Sequence, residues 1–200
     1  MKLHTPILSL AALVLATVST AAAAPETYTI DPVHSSVGFK IRHFVSNVPG
    51  KFTQFQGSIT VDRANLAQSS AQATIEVASI DTANQKRDNH VRSADFFDAA
   101  KYPTMKFQST SWKKTGENTF DVVGDLTIKD VTKPVTLKVT SLGFGPGMGG
   151  TQLSGWEATT TIDKKEFNIK DPPMLDAALG DDVTIIINIE AGMKPARKGA

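Results

Sequence analysis

Apolar and polar residues alternate with a period of two along most of this chain. Val37, Phe39, Ile41 and His43 fall on one face of an extended segment, and Ser36, Gly38, Lys40 and Arg42 on the other. The pattern recurs in Phe55, Gly57, Ile59 and Val61, in Ala71, Ala73, Ile75 and Val77, and in Met105 and Phe107. It returns in Phe120, Val122, Gly124, Leu126 and Ile128, then in Val135, Leu137 and Val139. Trp156, Ala158, Thr160 and Ile162, followed by Val183, Ile185, Ile187 and Ile189, complete the set. Successive side chains of a strand point to opposite faces, so this periodicity predicts about eight half-buried antiparallel strands. Turn chemistry separates them at residues 47–50, 114–118, 129–134 and 143–150. Strands joined mainly by short turns close into barrels or stack as sandwiches. Eight strands in a barrel enclose a space that side chains fill or that holds one small ligand. The expected class is all-β.

Residues 1–24 read as an export signal. Lys2 gives a positive start, residues 7–18 form an apolar core, and Ala21 to Ala24 supply the small residues cut by a signal peptidase. That apolar run is too short to cross a bilayer core of ~30 Å, and no other stretch is long enough. The expected organisation is a signal at 1–24, one domain at 25–191 and a disordered tail at 192–200. No transmembrane segment is expected in the mature chain. Removing the signal takes one of 21 basic residues and none of 20 acidic ones, leaving 20 against 20. A neutral chain without a basic patch is not built for nucleic acid. Cysteine is absent, so there is neither a disulfide framework nor thiolate chemistry.

Residues 81–98 break the alternation. Asp81 or Thr82 is the expected cap of a short helix near 82–98, with Asp88 and Arg92 paired one turn apart, packed across a barrel end. The apolar residues expected to surround a ligand are Phe39, Ile41, Phe44, Phe52, Phe55, Ile75, Val77, Phe96, Phe97, Met105, Phe107, Phe120, Val122, Leu126 and Trp156. Such a set either lines a cavity or fills an ordinary core. The small residues Gly38, Gly57, Ala71, Ala73, Gly124, Gly155 and Ala158 leave room where they point inward. His43, Arg87, His90 and Arg92 are candidates to meet a polar head, or, for the cluster at 87–98, to tie down a buried loop. His34, His43 and His90 with Asp31, Asp88 or Asp95 offer zinc ligands, but their spacing matches no compact metal motif. There is no Gly-x-Ser-x-Gly elbow, and Ser35 beside His34 would point to the opposite face of a strand. Lys164-Lys165 reads as a solvated turn and Asp181-Asp182 as a turn before the last strand. No catalytic residue, metal or cofactor is expected.

Several blocks together carry a resemblance. They include Tyr28-Thr29-Ile30-Asp31-Pro32-Val33-His34-Ser35, the run from Arg87-Asp88-Asn89-His90 to Phe96-Phe97, and Lys101-Tyr102-Pro103-Thr104-Met105-Lys106-Phe107. Gly124-Asp125-Leu126-Thr127-Ile128-Lys129 and Val131-Thr132-Lys133-Pro134-Val135 continue the match. In these blocks the chain resembles the YceI-like family over residues 28–191. The resemblance implies an extended eight-stranded antiparallel lipocalin-like barrel that carries a polyisoprenoid, quinone or acyl amide without acting on it. It also implies a periplasmic location and, in several members, a homodimer. The competing readings are a metal-dependent factor built on the histidines and a dimeric interaction protein with a filled core.

Overall fold

The computed structural model describes residues 24–193 other than Met174 and Asp176. The residues expected to form an export signal, apart from Ala24, and residues 194–200 lie outside the described residues. Gly192 and Met193, expected in the tail, end the last strand instead, where they pair with Thr29 and Gln152.

Three of the eight barrel positions are each occupied by two consecutive segments. β1 (Glu26–Ile30) runs on into β2 (Ser36–His43), β3 (Ser46–Phe52) into β4 (Phe55–Val61), and β5 (Ser70–Glu76) into β6 (Ile80–Asp81). The pairing shows that each couple is one long strand with a break: β1 and β2 pair with β4 and β3, which pair in turn with β5 and β6. The breaks fall at residues 31–35, at Thr53-Gln54 and at the 3-10 turn Val77–Ser79. The other five strands are continuous: β7 (Thr104–Lys114), β8 (Thr119–Ile128), β9 (Val131–Pro146), β10 (Gln152–Asp163) and β11 (Leu179–Met193). All neighbours are antiparallel, and β11 returns to both β1 and β2, which closes the barrel. Closure leaves no free sheet edge around most of the wall.

Four segments expected in turns are strand, among them residues 131–134, which open β9. Residues 47–50 lie inside β3, where Pro49 sits opposite Lys40. β3 is paired on its other side only at Lys51 and Phe52, so Pro49 takes no ladder bond from a second neighbour. Residues 143–146 belong to β9, and the turn there is confined to residues 147–151. Asp181 and Asp182 likewise lie inside β11, on a bulge between Leu179 and Val183.

The helix is α1 (Gln85–Arg92). Its cap is Asn84, whose side chain accepts from the Arg87 N–H at 3.0 Å, rather than Asp81 or Thr82. Asp88 does not ion-pair with Arg92. It is buried, and its Oδ1 accepts from the backbone N–H and the hydroxyl of Thr82 at 2.9 and 2.5 Å. Arg92 instead donates to the Ile80 carbonyl at 2.6 Å. Lys129, with positive φ in the β8–β9 turn, reaches over to the carbonyls of Phe96 and Asn168 at 3.0 and 3.1 Å. These bonds hold α1 and the chain after it across one end of the barrel.

The opposite end is plugged by rings. Trp112 stands edge-on to Trp156 at 5.6 Å, and Phe120, Phe144 and Tyr28 continue the stack at 5.8–5.9 Å spacing. Two of the small residues are spaces for neighbours rather than for a ligand. A Cβ on Gly124 would strike the Phe107 ring, and one on Gly57 would strike the Gln72 carbonyl. At those points glycine lets adjacent strands and rings approach closely.

Candidate ligand cavity

Inside the wall lies a cavity of ≈ 450 Å³, within the range of sites that hold small molecules. All eleven strands contribute residues to its lining, among them Phe39, Phe107, Val139, Ile162 and the run Val183, Ile185, Ile187 and Ile189. This run is on the face that alternation selects, so strand periodicity alone places four branched side chains in a row down one wall. Polar residues enter mainly at the α1 end: His43, Thr82, Arg87, His90 and Lys164. His43 and Arg87 both reach the lining while keeping contact with solvent, whereas Trp112 and Trp156 at the far end are buried. The solvent-facing end is therefore the one bounded by α1, the β2–β3 hairpin, and Lys164, Ile169, Leu175 and Leu179.

The sequence over residues 28–191 matches the model of the YceI-like domain. The chain belongs to the YceI-like family. Protein YceI of Escherichia coli O17:K52:H18 (strain UMN026 / ExPEC) is 42% identical over 175 residues, covering 86% of this chain and 90% of that protein. A UPF0312 protein of Pseudomonas putida (strain W619) is 42% identical over 153 residues, 76% of this chain and 80% of the relative. Among solved structures, Burkholderia cenocepacia BcnA superposes with a TM-score of 0.74 at 31% identity, covering 81% of this chain and 99% of BcnA. A polyisoprenoid binding domain from Saccharophagus degradans has the same fold at 15% identity, with a TM-score of 0.62 and coverage of 84% and 98%.

In this YceI-like barrel the cavity lining includes Phe39, Ile41, His43, Phe52, Phe55, Ile75, Arg87, His90, Phe96, Phe97, Met105, Phe107, Val122, Leu126 and Trp156 from the set read in the sequence. Phe44, Val77, Arg92 and Phe120 lie off it. Phe44 is at the exposed tip of the β2–β3 hairpin, and Val77 packs within the buried core beside the cavity. Arg92 is spent on the Ile80 carbonyl and the Asn89 side chain, and Phe120 sits behind Trp112. Of the small residues, Gly38, Ala71, Ala73 and Ala158 line the space, and Gly57, Gly124 and Gly155 do not.

Sequence reasoning missed Trp112, Leu137, Leu175, Leu179 and Lys164. Leu137 was legible from the period of its strand, but Trp112 was not, because a bulge between Ser109 and Ser111 moves it off the parity of Met105 and Phe107. Nor was Lys164. It does not stand in a solvated turn but is buried, with Nζ 2.9 Å from Asp171 Oδ2, 3.1 Å from Asp181 Oδ1 and 2.7 Å from the Gly180 carbonyl.

The histidines do not converge. His34 Nδ1 lies 2.8 Å from Asp31 and 3.8 Å from Glu190 on the outer surface at the β1–β2 break. The Asp31 hydrogen bond raises the His34 pKa and lowers that of Asp31. His90 meets Asp95 at 3.0 Å, and His43 stands edge-on to Phe44 at 4.8 Å. Among the described residues, Asp31, His34 and Glu190 are the three metal-capable groups that come together, and none of them lines the cavity.

Burial by itself would raise the Asp88 pKa, but the Thr82 hydrogen bonds, with the charges of Arg92 and Arg87, hold it below the usual carboxylate range. A depressed folded-state pKa contributes stability above the unfolded value, and that contribution is lost as pH falls through the folded one. The stability gap between the native protein and Asp88→Ala is therefore expected to be full at pH 6 and to shrink as pH is lowered past about 4. Urea unfolding at stepped pH measures it, and a gap that grows on acidification contradicts the assignment.

Proposed function

We propose that this protein binds a long amphiphilic lipid, of the polyisoprenoid, quinone or acyl amide type, with the tail inside the barrel and without acting on it chemically. The observation that carries this reading is the unfilled apolar cavity running from the aromatic plug toward α1. An oily tail of several hundred Å² buried there would gain on the order of 10 kcal/mol before ordering costs, at ~25 cal/mol per Å². His43, Arg87 and His90, at the solvent-facing end, are the groups proposed to meet the polar head. Arg87 is already anchored through Nε and Nη2 to Thr82, at 2.8 and 2.7 Å, so it would present its remaining N–H groups to a head group at little entropic cost. The polyisoprenoid binding named for the Saccharophagus degradans domain supports the same ligand class. The signal-like residues 1–24 support sequestration or transport in the periplasm.

Mass spectrometry of organic extracts from purified protein tests the proposal. A long-chain lipid is expected at near-stoichiometric amounts, or is taken up when a polyprenol is supplied to delipidated protein. Repeated preparations that carry no lipid and take up none overturn it.

A further inference from the structure

The tip of the β2–β3 hairpin places two apolar side chains in water beside the cavity's solvent-facing end. Phe44 is 57% exposed and Val45 is fully exposed. Their flanking residues His43 and Val48 line the cavity, so the tip forms part of its lip. Phe44 has φ 49, a left-handed conformation that suits glycine or asparagine and disfavours a bulky residue. It is held there from two sides. Its N–H donates to the Ala178 carbonyl at 2.7 Å, and Arg42 Nη1 donates to its carbonyl at 3.0 Å. The local fold thus fixes an aromatic ring outward where a smaller residue would sit with less strain.

The charges around this lip are unevenly matched. Neither Arg42 nor Arg87 makes a salt bridge among the described residues, although the Arg87 charge acts on Asp88; Asp171 and Asp181 are taken by Lys164, Asp95 by His90, and Asp88 hydrogen-bonds to Thr82. Asp182, exposed on the β11 bulge, is the exception. Two apolar side chains are far too small a patch for a stable protein interface, which needs about 800 Å² from each partner. They are enough for an interfacial anchor, where an aromatic ring and nearby arginines seat at the head-group layer.

We infer that the β2–β3 hairpin tip docks this protein on an anionic phospholipid bilayer, with Phe44 and Val45 inserted and Arg42 and Arg87 over the head groups. Its purpose rests on the lipid-carrier reading. A mouth pressed to the bilayer lets a tail slide between membrane and barrel without exposing its whole apolar length to water.

The test is sedimentation of the mature protein with phosphatidylethanolamine–phosphatidylglycerol vesicles (3:1) and with phosphatidylcholine vesicles, at low salt and in 0.5 M NaCl. Transfer of a pyrene-labelled polyprenol from the same vesicles is measured in parallel. The double variant F44S/V45S is expected to bind the anionic vesicles about tenfold more weakly and to slow transfer similarly. Equilibrium uptake of the polyprenol added from ethanol should not change. Val45→Ser alone, at a side chain with no packing to lose, should show the same direction. Salt and phosphatidylcholine should each weaken binding. Leu142→Ser with Met148→Ser alters the exposed apolar residues of the β9–β10 end and should change neither readout. Absence of vesicle binding by the native protein, equal effects from the two double variants, or a dimer that dissolves in F44S/V45S would each overturn the inference. Vesicle binding that depends on the hairpin in a protein that takes up no polyprenol would count against the carrier reading and leave the docking element standing.

Discussion

Replacing Ala73 with tryptophan is expected to abolish lipid uptake while leaving a cooperatively folded barrel. Ala73 is in β5, paired with Gly57 on one side and Phe107 on the other, and it lines the cavity. An indole there would project into space that no protein atom occupies, so overpacking should stay near the lower end of its usual ~1–3 kcal/mol. A ligand would lose the volume and the contacts. If the ring displaces ~100 Å² or more of buried tail, binding weakens by roughly 3 kcal/mol, about a hundredfold. Quantifying copurified lipid and polyprenol uptake checks this, with urea unfolding as the control for the fold. Undiminished uptake by a folded Ala73→Trp protein would mean that the ligand is held elsewhere.

The second large effect concerns the buried ion pair. Lys164 and Asp171 have side-chain exposures of 5% and 0% and lie 2.9 Å apart. Asp171→Ala leaves the ammonium of Lys164 in an apolar wall with the Gly180 carbonyl and Asp181, and Asp181 is 45% exposed and shared with Lys165. Removing one member of a buried pair costs about 3–5 kcal/mol, because the remaining charge keeps its desolvation penalty. Replacing both, Lys164→Met with Asp171→Leu, is expected to recover most of that loss, since apolar residues of similar size need no partner. Urea titrations of the native protein and the two variants read both numbers. A cost below about 1 kcal/mol for Asp171→Ala, the range of exposed pairs, would show that the pair does not act as a buried one.

The asymmetry between what was legible and what was not follows the range of the interactions. Strand identity depends on neighbours two residues apart, so the alternation in residues 36–43 or 183–189 reported both the element and its inward face. The same rule failed at Pro49 and at residues 143–146, because turn-forming residues are tolerated wherever a strand lacks a partner on one side or carries a bulge. Phe44 belongs to the apolar set expected around a ligand, but the hairpin reverses there and the positive φ leaves its ring largely in solvent. Gly124 was read as room for a ligand, yet the Phe107 ring of the adjacent strand fills that room.

The alternating sequence by itself determined the all-β class, the number of barrel positions and the apolar character of the interior. Whether that interior is hollow depended on which side chains from strands far apart in the chain meet across the barrel, and on whether their volumes add up to the space enclosed. The burial of Lys164 was decided the same way. Asp171 lies seven positions further on and Gly180 beyond it, and only the tertiary fold brings both to one ammonium. Local pattern encodes the face on which a side chain stands, but packing volume and charge partners are set by contacts between residues distant in sequence, which no periodicity records.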